Sequence, residues 1–374
     1  MNEKFNRVFE QVKPSPEQKE VMLSRLLEPE RKVKPMKKLK KLTVVGIAAA
    51  LMVITCAAAM VTGIDQRLMN FMGWGEQAQE LLAPGAVTVD VTAEDNGSTL
   101  HITQVLMDRY SILVLMDFTA PEGTVLDAGN DDSSGYQFNI AENHLTPRVP
   151  AIVTKEREIP LGWLHAGYSL KVLPDADPAD NHLTLLFDIG LRDGIQPDWE
   201  MEGLIFYARG LYAWGTDSEE PVCAGDWTCR IPVTWQDTGW SLQPDQPAGQ
   251  MNGSDITVKE VYLSPMTLQI YMESVPIESA TRTTDRPYWY PASEHIILTA
   301  KDGKTIPLTS VEGRYGGSSS VLCGWVWPRE QRVNFSLSEI TDPVLLQGGT
   351  ITLLLGDSGE EEFVISLESL VPAE

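Results

Sequence analysis

The feature that most constrains this chain is a reversal of charge across a stretch that carries none. Residues 1–41 hold 12 Lys+Arg against 6 Asp+Glu, a net of +6. Residues 42–64 hold no charged side chain, and residues 65–374 hold 17 Lys+Arg against 46 Asp+Glu, a net of −29. As a helix rising about 1.5 Å per residue, residues 42–64 reach about 34 Å, enough for a hydrocarbon core of about 30 Å. Just before them, Arg31, Lys32, Lys34, Lys37, Lys38, Lys40 and Lys41 place a basic block with no acid among it. Such a block stays on the cytosolic side and rests on anionic headgroups. The expectation is a single-pass protein of the cell membrane. Residues 1–41 are cytosolic, 42–64 form the transmembrane helix, and the acidic remainder is extracellular. A buried Ala-rich helix, which is usually shorter and lacks such a basic flank, and a cleaved leader, with Ala57-Ala58-Ala59 as its small-residue site, are the competing readings. Against the leader, its basic region would be 41 residues long and would hold its own helix signals.

The cytosolic segment reads as two short helices. Phe5, Val8, Phe9 and Val12 form one stripe at helical spacing, and Pro14 ends it. Ser15-Pro16-Glu17-Gln18 starts the second, which carries Met22, Leu23, Leu26 and Leu27 to Pro29. Two helices of this size bury no stable core alone. Phe5, Phe9, Met22 and Leu26 are therefore candidates for contact with a cytosolic partner. The alternative is a tail lying on the membrane.

Beyond the apolar stretch the period changes from helix to strand. After a connector over 65–85, with Leu68, Phe71, Met72, Leu81 and Leu82 as an amphipathic helix, the pattern alternates. It also repeats at an offset of 156 residues. Asn96-Gly97-Ser98 to Val105 aligns with Asn252-Gly253-Ser254 to Val261, and Ser111 to Asp117 aligns with Thr267 to Glu273. Each copy reads as a hairpin opening a β-domain. Further short apolar runs between Gly, Pro, Asn and Asp point to a mainly β chain with two β-sandwich domains in tandem, at 86–245 and 251–374. Gln243 to Gly249 reads as the linker.

No sequence pattern of known catalytic chemistry appears, neither His-Glu-x-x-His, Walker A nor Gly-x-Ser-x-Gly. The five His are scattered. The chain is expected not to be an enzyme and to hold no metal or cofactor. A net charge of −23 excludes nucleic acid as its main partner. Four Cys in 374 residues exclude a disulfide scaffold. Cys223 and Cys229 are spaced for a small-loop disulfide, unless one strand over Trp227–Trp235 holds them apart. Tyr288-Trp289-Tyr290 and Trp325-Val326-Trp327 are candidate platforms for cell-wall sugars, or core aromatics, so an envelope adhesion or wall-binding protein is the second reading of function.

The order of parts resembles a family of single-pass membrane proteins of Firmicutes described as anti-sigma-factor-like. Their ectodomain is a domain of unknown function followed by an immunoglobulin-like domain. Met1 to Phe5, Ser15 to Lys19, the basic block, Asp95 to Phe118 and Trp227 to Val233 carry the likeness, with residues 252–374 similar to the second domain. The resemblance implies a regulator that holds an extracytoplasmic-function sigma factor at the membrane and meets an unknown extracellular ligand. It brings no catalytic residues. The cytosolic part departs from the His/Cys pattern of zinc-binding anti-sigma domains.

Overall fold

The computed structural model describes residues 63–126, 135–139, 150–174, 180–213, 220–251, 254–276, 296–310, 330–337, 341–355 and 361–373. Phe5, Phe9, Met22, Leu26, the basic block, all of the apolar stretch before Gly63, Trp289 and Trp325 lie outside them. Among the described residues no helix is long and apolar enough to cross a membrane. The described chain is mainly β, with several sheets.

The connector is two short helices rather than one, α1 (Gln66–Met72) and α2 (Glu76–Leu82). The Asp65 carboxylate caps α1 by accepting from the Arg67 amide, and Gly73 stops it in the left-handed conformation at φ 70°. A turn over Ala83–Gly85 leads into the first strand.

The first module has ten described strands. One sheet runs β1 (Ala86–Asp95), β2 (Ser98–Met107), β3 (Ser111–Thr119), then β8 (His182–Leu191) and β7 (Ala166–Val172). The other runs β10 (Cys223–Pro232), β9 (Met201–Ala213), β5 (Ala151–Thr154) and β6 (Glu158–Pro160), with β4 (Tyr136–Asn139) also on β9. Inward side chains of both sheets share one core. Its centre is Trp227, edge-on to Phe118 at 5.3 Å and to Phe138 at 6.1 Å.

β3 explains why its sequence is apolar at almost every position. Ile112, Val114 and Met116 face that core, whereas Leu113 and Leu115 face outward into a separate cluster. The cluster comprises Ile64, Leu68, Met69, Ala78 and Leu82 of the connector, with Leu106, Leu113, Leu115, Leu173 and Leu186 beneath them. A strand covered on both faces loses the alternation that marks a half-exposed one.

The second module repeats the plan. One sheet runs β17 (Leu308–Ser310), β18 (Glu330–Leu337), β14 (Thr267–Pro276), β13 (Ser254–Leu263), β11 (Trp240–Leu242) and β21 (Val371–Pro372), with β12 (Gln246–Met251) also on β13. The other runs β16 (Thr305–Ile306), β15 (Ile296–Thr299), β19 (Thr350–Leu355) and β20 (Glu361–Ser366), and α3 (Pro343–Leu346) precedes β19. Both sheets feed a second core.

The offset of 156 residues holds in detail. β2 and β13 begin and end at equivalent positions. The β2–β3 ladder shifts register between Ile102 and Gln104, and the β13–β14 ladder between the equivalent Val258 and Glu260. A bulge kept at the same place in both hairpins is a built feature, not a defect. The expected linker is different. Trp240–Leu242 and Gln246–Met251 both pair with β13, so the second module starts near Trp240 rather than at 251. Pro247 misled the reading because β12 pairs on one side only, where a missing N–H costs the ladder little.

Candidate functional site

The densest buried polar chemistry among the described residues lies where the two modules meet, on the turns that close the repeated hairpins. In the first module the Asp108 carboxylate accepts from the amides of Tyr110 at 2.8 Å and Ser111 at 2.7 Å. In the second, the Ser264 hydroxyl oxygen accepts from the amides of Met266 at 3.0 Å and Thr267 at 2.9 Å. Asp and Ser both close such turns on their own backbone. The two caps are 156 residues apart, and they bond each other, Ser264 Oγ donating to Asp108 Oδ2 at 2.5 Å. Ser111 Oγ and Thr267 Oγ1, again 156 apart, lie 2.9 Å from each other. Equivalent residues touch equivalent residues, so the modules pack about a local pseudo-two-fold axis through these turns. This is the pattern of an isologous interface made within one chain.

Around the axis the contacts become asymmetric. Arg109 Nε donates to Asp237 Oδ2 at 2.8 Å, and its Nη2 lies 2.7 Å from the same oxygen. The Tyr262 hydroxyl donates to Asp237 Oδ1 at 2.7 Å, and Tyr110 stands edge-on to the Tyr262 ring at 4.9 Å. Gly239 runs so close to Tyr262 that a Cβ there would lie 2.2 Å from the ring. Nearby, Gln269 Nε2 donates to the Arg192 carbonyl at 3.0 Å and Asn334 Nδ2 to the Leu191 carbonyl at 2.9 Å. Burial pushes the Asp108 carboxyl up from its ordinary value, against the pull of the hydroxyls and the Tyr110 amide. Burial works against the charge on Arg109, yet Asp237 keeps its pKa above the usual one. Burial also raises Tyr262 well above an ordinary phenol, with Asp108 and Asp237 adding to it. Asp108, Arg109, Asp237, Tyr262 and Ser264 each hold another in place, so the arrangement is a clasp.

A second polar anchor fastens the connector. Arg67 Nη1 donates to Asp117 Oδ1 at 2.7 Å and to Thr184 Oγ1 at 3.1 Å. Burial opposes charge on Asp117, but hydrogen bonds from His182, Arg67 and Thr184 and the Arg67 charge bring its pKa down to about 2. The Asp65 amide donates to Gln104 Oε1 at 2.9 Å, while Gln104 Nε2 donates to the Gly63 carbonyl at 3.4 Å. At the other end Gly85 lies against the Met107 carbonyl, 2.5 Å from where a Cβ would stand.

Cys223 and Cys229 are both free thiols, and both are buried on β10. This corrects the expected disulfide. Six residues along one strand at about 3.3 Å each put them far beyond the roughly 7 Å limit for bridging. Burial instead pushes Cys229 up to about 12. His101, His165 and His182 each face a different acid, Asp90, Asp193 and Asp117 respectively. Among the described residues no group of three or more His, Cys, Asp and Glu is placed to hold a metal ion. An open cleft of about 640 Å³ on the second module is lined by Lys301, Asp302, Lys304, Asp342, Val344 and Leu345, among others. Its two acids cap local turns, at the amides of Lys304 and Val344.

Sequence reasoning missed the clasp because the turns fell in the gap between the two aligned strand pairs. A signal was present. Asp108-Arg109-Tyr110-Ser111 and Ser264-Pro265-Met266-Thr267 are turn-forming tetrads at the same offset as the strands.

No family model and no curated protein matches this chain. Among solved structures it is similar to the conserved domain protein from Bacillus anthracis. The TM-score is 0.44 with 11 % identity, covering 75 % of this chain and 91 % of that one.

Proposed function

We propose that this chain is a membrane-anchored regulatory protein of the anti-sigma-factor-like kind. A single transmembrane helix over 42–64 leaves residues 1–41 in the cytosol. It carries two immunoglobulin-like β-sandwiches outside the cell. The observation that carries the reading is the charge reversal across an uncharged stretch, +6 before it and −29 after it. The docking of residues 64–82 on the first sheet supports it, because the rigid ectodomain then begins at the residue where the apolar stretch ends. A module fastened there, rather than tethered by a loose linker, suits a protein that conveys an outside state inward. Phe5, Phe9, Met22 and Leu26 supply the cytosolic contact as an apolar helix face in a groove of the partner, most simply a sigma factor.

The test uses the full-length protein in its own cells. Protease added to intact cells is expected to remove the C-terminal region and leave residues 1–41 intact. Capture of the full-length chain is expected to bring down a sigma factor, which Phe9→Asp with Leu26→Asp releases. A C-terminal region untouched by protease, or a mature chain starting after Ala59, overturns the topology. A capture unaffected by the double substitution overturns the contact.

A further inference from the structure

The connector and the second module have no sequence proximity, yet both bear on the same few residues of the first module. The connector rests on β2 at both ends, with Gly63 and Asp65 on Gln104 and Gly85 on the Met107 carbonyl. Met107 is followed at once by Asp108, the carboxylate that receives the Ser264 hydroxyl. Between those ends, Leu68, Met69, Ala78 and Leu82 pack in the outer cluster with Leu106 and Leu113, and the second module's Met266 joins that cluster. Met266 is 7 % exposed and sits on the same turn as Ser264 and Thr267.

Moving the second module off this turn therefore has two effects at once. It strips a buried carboxylate of a hydroxyl donor, and it opens a gap in the apolar cluster that seats the connector. A buried acceptor left short of a donor and a gap in a packed cluster are both costly. The two docking events draw on the same residues, so neither is independent of the other.

We propose that the second module and the connector helices are energetically coupled through residues 104–113 of the first module, so that displacement of the second module loosens the connector. The fold thereby relays a change from the second module to residue 64. Coupling of this kind is reciprocal, so loosening the connector must also loosen the turn at Ser264. The relay holds whether or not residues 42–64 enter a bilayer, so its failure would leave the proposed anchoring standing, and the reverse.

Hydrogen exchange on the full-length protein in detergent micelles tests it. Ser264→Ala with Thr267→Val removes both hydroxyl contacts to the first module. The amides of α1 are expected to exchange about fivefold faster or more, the lower edge of ordinary coupling between sites. Those of β19 and β20 should keep their rates, showing that the second module is folded. In the reverse direction Arg67→Gln, which touches no residue of the second module, is expected to speed exchange at the Met266 and Thr267 amides. Met266→Leu, which keeps the apolar volume, should leave α1 at the parent rate. If the double variant leaves α1 unchanged while β19 and β20 stay protected, the coupling is overturned. If the double variant loses protection in β19 and β20, the Arg67→Gln result decides, and unchanged turn amides there overturn it.

Discussion

At the scale of single residues, the polar anchors differ in what they ask of pH. Asp117 is held to about 2 from an ordinary 3.8 by His182, Arg67 and Thr184 despite partial burial. A carboxylate whose folded pKa is depressed contributes stability above its unfolded value and loses it as pH falls through the folded one. The contribution of Asp117 is thus whole above about pH 4 and fades toward pH 2. Arg67 is 43 % exposed, so solvent screening cuts the interaction to about 1 kcal/mol. We expect Arg67→Gln to lower the urea midpoint at pH 6, and the gap to the parent protein to close near pH 2. A gap of the same size at both pH values would show that the pair contributes nothing through its charge. The clasp behaves in the opposite sense. The Asp108 carboxyl is raised by burial, so its ionisation opposes the folded state as pH climbs above 3.8. The matching turn tetrads at the 156-residue offset were legible, but not that Asp108 and Ser264 bond each other or that burial raises the carboxyl, because both depend on tertiary packing.

At the scale of elements, the strands were the legible part. The short apolar runs between turn residues, rich in Leu, Ile, Val and Phe, are observed strands at β8, β9 and β19. The repeated hairpin was readable for the same reason, from Ser98 in one copy and Ser254 in the other. What failed in part was the role of Gly and Pro. Pro84-Gly85 does end the connector helix at Leu82, and Gly85 is also where the connector meets the Met107 carbonyl. We expect Gly85→Ala to cost about 2 kcal/mol, since its Cβ would press on backbone that is held at the head of the clasp. A thermal midpoint within a degree of the parent would show that the turn gives way instead. Pro247 and Gly249 were read as a linker, yet they lie in a strand, because one-sided pairing tolerates both.

At the scale of the whole molecule, two cores with separate sheets suggest two independent folding units. The clasp argues for one. Arg109 and Asp237 are 10 % and 8 % exposed, and breaking a buried pair by removing one partner costs about 3–5 kcal/mol. We expect calorimetry of the parent protein to give one transition, and Arg109→Met to split it in two as the modules melt separately. Two transitions already present in the parent would show that the clasp is too weak to join them. The mainly β character was legible in the sequence, whereas the joining of the two cores was marked only by the matching turns at 108–111 and 264–267, whose contact is tertiary.

The duplicated hairpin carries a hazard for a nascent polypeptide. With bulge and register the same in both copies, β3 and β14 present equivalent free edges, taken in the native fold by β8 and β18. The outward residues arbitrate. Leu113 and Leu115 lie under residues 64–82 and Met266, whereas the equivalent Gln269 bonds Asn334 and the equivalent Tyr271 stacks on Arg332. The segment preceding the first strand thus covers one hairpin and not its equivalent, which sets the two copies apart. It also precedes both hairpins in chain order.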